Sequence, residues 1–132
     1  MSTRKSRKIT TGKLKKKCWD ALSKAIRMEA ADSNGIVECV TCNCKKPWKQ
    51  MQAGHLIGGR TNGVLFDERG IFPQCVGCNM FKQGMGPEFT VFVIKHYGQG
   101  LVDELIQLRR TAVRFTRSEL EEMLEGYQER IN

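Results

Sequence analysis

Long apolar runs are missing from this sequence. Nothing approaches the roughly 18 consecutive apolar residues of a membrane span, and the opening MSTRKSRKITTGKLKKK lacks the apolar core of a secretory leader. These absences point to a reducing cytoplasm and away from a membrane, and they decide how the six cysteines are read. In such a compartment, closely paired cysteines read as metal ligands rather than disulfides. Histidine is scarce, limited to His55 and His96. Acid is missing only locally: residues 1–17 hold eight Lys or Arg and no Asp or Glu, while residues 18–132 hold fourteen of each sign. The whole net charge of +8 therefore lies in the first seventeen positions.

What is present suffices for one compact domain with a modest core, at 132 residues and 40% apolar content. Residues 1–13 read as a basic disordered arm, either a solubility tail or an arm that tracks phosphates and gains affinity by counterion release. Arg4, Lys5, Arg7, Lys8, Lys13, Lys15, Lys16 and Lys17 are its candidate DNA contacts, and Thr10 or Thr11 can cap the helix that follows. Leu14, Cys18, Leu22 and Ile26 recur every fourth residue, which predicts an amphipathic helix over 14–32, ended by the turn formers DSNG. Cys18 lies on that stripe and reads as a small buried hydrophobe. Residues 36–86 are rich in Gly, Cys and short apolar pairs, as suits small strands held by a metal. Residues 87–132 return to helical periodicity, with Pro87 opening one helix, burial expected at Phe89, Phe92 and Val93, and a capping box from Thr116 to Glu119.

The strongest chemical signal is a pair of knuckles, Cys39-Val-Thr-Cys42 and Cys75-Val-Gly-Cys78. Two CxxC turns can aim four thiolates at one ion, the closed tetrahedral sulfur site of a structural zinc. Cys44 competes with Cys42 for the second position, and the CxxC spacing favours Cys42. The knuckles are 32 residues apart, so something is inserted between them. A closed site leaves no open position on the zinc, and chemistry moves to the insert, which holds His55, Asp67 and Glu68, with Asn79 just past the second knuckle. His55 is open to three readings: an auxiliary zinc ligand, a satisfied core histidine, or a catalytic group.

This arrangement is similar to the HNH, or ββα-metal, nucleases. QMQAGHLI would be the first strand, GIFPQC the second and CVGCNMFKQG the start of the helix. AGH, FDERGIFPQCVGCNMFKQG and YGQGLVDEL more narrowly resemble the phage NinG family, also called Rap, recombination nucleases that cut branched DNA such as Holliday junctions and D-loops. A more distant likeness is to phage endonuclease VII, which also carries two CxxC knuckles, an intervening His and an Asn after the last Cys. The resemblance implies an α+β fold with a zinc-stapled, treble-clef-like HNH core between an N-terminal helix and C-terminal helices, so that 14–132 form one nuclease domain. It makes His55 the general base, Cys39, Cys42, Cys75 and Cys78 the zinc ligands, and Asn79 a ligand of a catalytic Mg2+ or Mn2+.

Two departures accompany it. Many HNH nucleases place a metal-binding Asp directly before the base, where this sequence has Gly54, so the carboxylate is expected from Glu68 or, less directly, Asp67. Gly70 stands where a bracing Asn is usual, and Asn62 is a candidate substitute. The expected reaction is metal-dependent hydrolysis of a phosphodiester, with His55 taking the proton of the attacking water and Lys82 or Arg60 adding positive charge. Expected partners are branched DNA, a second copy of the chain joined through Leu101, Leu105, Leu108, Leu120 and Leu124, and phage or host recombination proteins, in the cytoplasm of a bacterial host. The alternatives are an HNH nuclease acting on linear duplex or DNA ends, and a non-catalytic zinc module that binds DNA.

Overall fold

A computed structural model describes residues 9–59 and 61–132. The expected contacts at Arg4, Lys5, Arg7, Lys8 and Arg60 lie outside the described residues. The chain is a mixed α+β protein with two small antiparallel sheets and five helices among those residues: α1 Thr11–Ala30, β1 Ile36–Glu38, β2 Lys45–Pro47, β3 Met51–His55, α2 Asn62–Leu65, β4 Ile71–Cys75, α3 Gly86–Tyr97, α4 Gln99–Arg109 and α5 Arg117–Ile131. Among the described residues no helix is long and apolar enough to cross a membrane.

Helix α1 starts three residues ahead of the expected boundary, because Thr10 accepts the Lys13 amide and caps it. Lys13 thus belongs to a helix and not to the arm. The predicted stripe is the buried face, where Leu14, Cys18 and Leu22 are almost fully enclosed. Cys18 donates to the Leu120 carbonyl at 3.2 Å, and burial pushes its thiol pKa up. After Ala30 the Asp32 carboxylate accepts the amides of Asn34 and Ile36, turning the chain into β1.

Helix α5 has the capping box anticipated from Thr116 and Glu119 and runs beside α1 in the same direction. Ile9 meets Arg117 at their starts, Cys18 meets Leu120, and Glu29 meets Arg130 at their ends. Helices α3 and α4 are separated at Gly98, whose φ of 92° is open to glycine, and cover a second core of Leu56, Val64, Phe89, Val93, Val102 and Leu105. Phe92 is only half-buried, correcting the expected trio. The candidate dimer leucines mostly serve this chain: Leu105 and Leu120 are core residues, and Leu101, Leu108 and Leu124 pack against the core.

Strands β1 and β2 pair from Ile36 opposite Pro47 to Glu38 opposite Lys45, and their connecting turn carries the first cysteine group. Strands β3 and β4 pair from Met51 opposite Cys75 to His55 opposite Ile71. Alternation puts Ala53 and Ile71 against Leu22 of α1, while Gln52, Gly54, Phe72 and Gln74 share the other face. Directly after β4 comes a π-helical turn, Gly77–Phe81, in place of a regular helix.

Candidate metal centre and adjoining polar cavity

The β1–β2 turn and the end of β4 bring the cysteines together. The sulfurs of Cys39, Cys42, Cys44 and Cys75 all lie within 4.8 Å of one another. A tetrahedral ion with Zn–S bonds of about 2.3 Å needs sulfurs about 3.8 Å apart, and Cys42 and Cys75 stand at 3.7 Å. These four thiols can therefore hold a metal ion such as zinc. Cys44 enters the group that spacing alone had given to Cys78, because the Cys39 amide donates to the Cys44 carbonyl and folds the turn back on itself. Cys78 borders the group: its amide donates to the Cys75 sulfur at 3.4 Å, and its thiol interacts with Cys75, Cys42 and Cys39.

Charge is unequal across the cluster. Burial would raise the Cys39 pKa, but the Thr41 hydroxyl and nearby backbone amides lower it to about 6. Burial and the neighbouring sulfurs push Cys44 and Cys78 up to about 12. Crowded thiols resist collective ionisation unless a cation offsets the charge.

Beside this centre lies a cavity of about 720 Å³ lined by both His55 and Asn79, together with Trp19, Arg27, Gln52 and Gly84. His55 stacks on Trp19 with ring centroids 4.6 Å apart, and its Nε2 is 3.0 Å from the Leu65 carbonyl oxygen. A carbonyl only accepts, so Nε2 carries the proton and Nδ1 carries the lone pair in the neutral ring. Asn79, in the π-helical turn, donates from Nδ2 to the Gln52 oxygen at 2.7 Å, which turns its Oδ1 away from that contact.

The acids expected to join them do not. Asp67 and Glu68 line a different cavity, with Asn62, Phe66 and Val113. Asp67 pairs with Arg69 at 2.7 Å, and that guanidinium holds its carboxyl below the usual carboxylate range. Glu68 is bound through both oxygens by Arg130, which also grips Glu29. These two carboxylates, in the β3–β4 connection, are engaged in ion pairs and line a cavity apart from His55 and Asn79, so the structure does not bring them to the expected metal site. Asn62 also serves elsewhere, donating to the Val113 carbonyl at 2.9 Å. The bracing position at Gly70 is taken by packing: a Cβ there would sit 2.9 Å from Leu105.

Several lining residues escaped the sequence reading. Trp19, Ser23 and Arg27 form an i, i+4, i+8 row on α1, a helical spacing legible in hindsight beside the apolar stripe. Arg27 donates to the Trp48 and Met51 carbonyls, and with Lys24 and Lys49 it surrounds the Trp48 ring at 5.6–6.0 Å. Lys13, Lys16, Lys17 and Lys82 are solvent-exposed and Lys15 half-exposed, with Lys16 paired to Asp20 at 3.0 Å.

Fold and cluster together define a small α+β protein with a cysteine cluster able to hold a metal ion. The chain belongs to the bacteriophage lambda NinG family, whose model matches residues 2–132. It is 34% identical over 97 residues to Protein ninG of Escherichia phage 933W, 33% to that of Salmonella phage P22 and 33% to that of Escherichia phage lambda. Each alignment covers 70% of this chain and 45–46% of the relative, so the chain spans about half the length of the curated relatives it matches. No solved structure matches it.

Proposed function

We propose that this chain is an HNH-type, metal-dependent endonuclease that hydrolyses phosphodiester bonds in branched DNA during phage recombination. The observation that carries the reading is the shared cavity of His55 and Asn79, with the His55 lone pair fixed at Nδ1 by the contact of Nε2 with Leu65. Zinc on the cysteine cluster would be structural, holding the β1–β2 turn against the end of β4 and so fixing Asn79 in place.

In the reaction, Nδ1 of His55 takes a proton from water as the water oxygen bonds to phosphorus, and the 3′ oxygen leaves with the electrons of the broken P–O bond. The Leu65 carbonyl stabilises the imidazolium that forms, through the Nε2–H hydrogen bond. Asn79 would hold a divalent ion, magnesium or manganese, which supplies positive charge against the non-bridging and leaving oxygens. Arg27, Lys24 and Lys49 border the same region and suit DNA phosphates, while Phe81, 81% exposed beyond Asn79, offers a stacking face for an unpaired base. Junction cutting needs two opposed active sites and hence a symmetric dimer, to which the partly buried Leu101, Leu108 and Leu124 would contribute, whereas Leu105 and Leu120 are enclosed in the core.

The test is zinc-loaded protein incubated with four-way junction, flap and linear duplex of matched sequence, with magnesium, manganese or chelator. Metal-dependent cutting of the junction ahead of the duplex supports the reading. Equal cutting of all three demotes it to a general nuclease, and DNA binding without cutting replaces it with a zinc binding module.

A further inference from the structure

Gln74 is the single buried polar residue among the described residues, at 0% exposure, and its side chain is half-satisfied. Its Nε2 donates to the Gly84 carbonyl at 2.8 Å and to the Thr41 hydroxyl at 3.1 Å. Because a carbonyl must receive a donor, the amide cannot be flipped, and Oε1 is fixed on the opposite side. That oxygen has no hydrogen-bond partner. A buried acceptor left without a protein partner is destabilising, and a water or a bound cation reaching it would relieve the cost.

Oε1 is directed over Gly54. A Cβ on Gly54 would fall 1.9 Å from it and 3.1 Å from Asn79 Oδ1. Two carboxamide oxygens thus converge within 3.1 Å of one point, at the position from which an Asp side chain would spring. The segment that anchors Gln74 is itself unusual. Gln83, Gly84 and Met85 have φ of 54°, 82° and 54°, a run of left-handed residues that non-glycine side chains rarely adopt. It is pinned by the Gly84 amide on the Cys78 carbonyl at 2.7 Å. The chain therefore holds a strained turn whose carbonyl orients the Gln74 amide.

We infer that Gln74 Oε1 and Asn79 Oδ1 are paired neutral oxygen ligands for a divalent cation, and that Gln74 supplies the oxygen missing at Gly54. Hard ions such as Mg2+, Mn2+ and Ca2+ accept amide carbonyl oxygens and keep several waters, so a site without a carboxylate is weaker but chemically complete. The inference rests on the nuclease reading for its purpose and on the orphaned oxygen for its evidence.

The test uses full-length, zinc-loaded protein titrated with Mg2+ and Mn2+ while side-chain carboxamide resonances are followed by NMR. Mg2+ should shift the Gln74 and Asn79 carbonyl carbons, Mn2+ should broaden these two groups first, and Gln99 and Gln107 should respond last. Gln74→Met should weaken Mn2+ binding about tenfold or more, Gln74→Glu should tighten it, and Glu68→Gln should leave it within twofold, with zinc content checked in each. Mn2+ binding that leaves the parent's Gln74 resonances unmoved overturns the inference, as does a Gln74→Met variant that keeps its zinc and binds Mn2+ like the parent. A parent that binds no Mn2+ or Mg2+ at millimolar levels overturns it too. Metal-dependent DNA cutting with Gln74 unperturbed sinks this inference alone. Cation binding at Gln74 without DNA cutting supports it and sinks the nuclease reading instead.

Discussion

The two cavities flanking the β3–β4 pair hold opposite kinds of polar group. Around Asp67 and Glu68 the carboxylates are held in exposed or half-exposed ion pairs, Arg69 shared by Asp67 and Glu104 and Arg130 by Glu68 and Glu29. Around His55 and Asn79 the polar groups are mostly carboxamides, Gln52, Gln83 and Asn79, with Arg27 the one guanidinium, and beneath them the buried Gln74 oxygen has no protein partner. Charge that is already paired has little left to offer a ligand, whereas an oriented, unpaired oxygen is available to one. The His55 cavity is thus the better candidate for chemistry.

The largest expected effect acts on both cavities alike. Stripping metal from the cysteine cluster with a chelator should unfold the chain, because zinc binding of this type contributes on the order of 10 kcal/mol or more to folding. Circular dichroism should show helix loss that is reversed by zinc. Retained helix with the metal gone would mean that the cluster does not hold the two strand pairs together.

Gly54→Ala addresses the His55 cavity alone. Its Cβ would meet Gln74 Oε1 at 1.9 Å, and Gln74 cannot swing away while Nε2 is held by Gly84. The cost should be about 1–3 kcal/mol, read as a lower midpoint in urea. An unchanged midpoint would show that the Gln74 side chain is loosely held.

Arg130→Ala addresses the charged cavity and should cost about 1 kcal/mol or less, since both of its carboxylate partners are substantially exposed. Arg130 lowers the folded-state pKa of Glu29 below its ordinary value. Stability from that pair is therefore present above the unfolded pKa of about 4 and is lost as pH falls through the lowered folded value. The gap in thermal midpoint between parent and Arg130→Ala should shrink as the pH is brought below about 4. A gap independent of pH would mean that the contact of the Arg130 guanidinium with the Tyr127 ring matters more than its ion pairs.

Much of the scaffold was legible because its signals are periodic or local. The every-fourth stripe of α1 and the Thr116 capping box are written in single segments and form as read. The two CxxC pairs announced a sulfur cluster, but Cys44 joins it only through the return of the β1–β2 turn, which spacing does not encode. Asp67 and Glu68 misled for a related reason. They lie in the same insert as His55, yet the guanidinium that pairs with Glu68 comes from Arg130 of α5, 62 residues away in sequence, and is shared with Glu29 of α1. Gln74 left one faint trace, a polar residue inside the otherwise apolar strand segment IFPQC.

The contrast between the cavities is tested most directly by single-turnover cleavage of a four-way junction with magnesium, comparing parent, His55→Ala and Glu68→Gln. Cleavage should fall by about 10²–10⁴ in His55→Ala, with its zinc retained, and remain at the parental rate in Glu68→Gln. Parental cleavage by His55→Ala, or its loss in a folded Glu68→Gln protein, would place the chemistry in the other cavity and contradict this account.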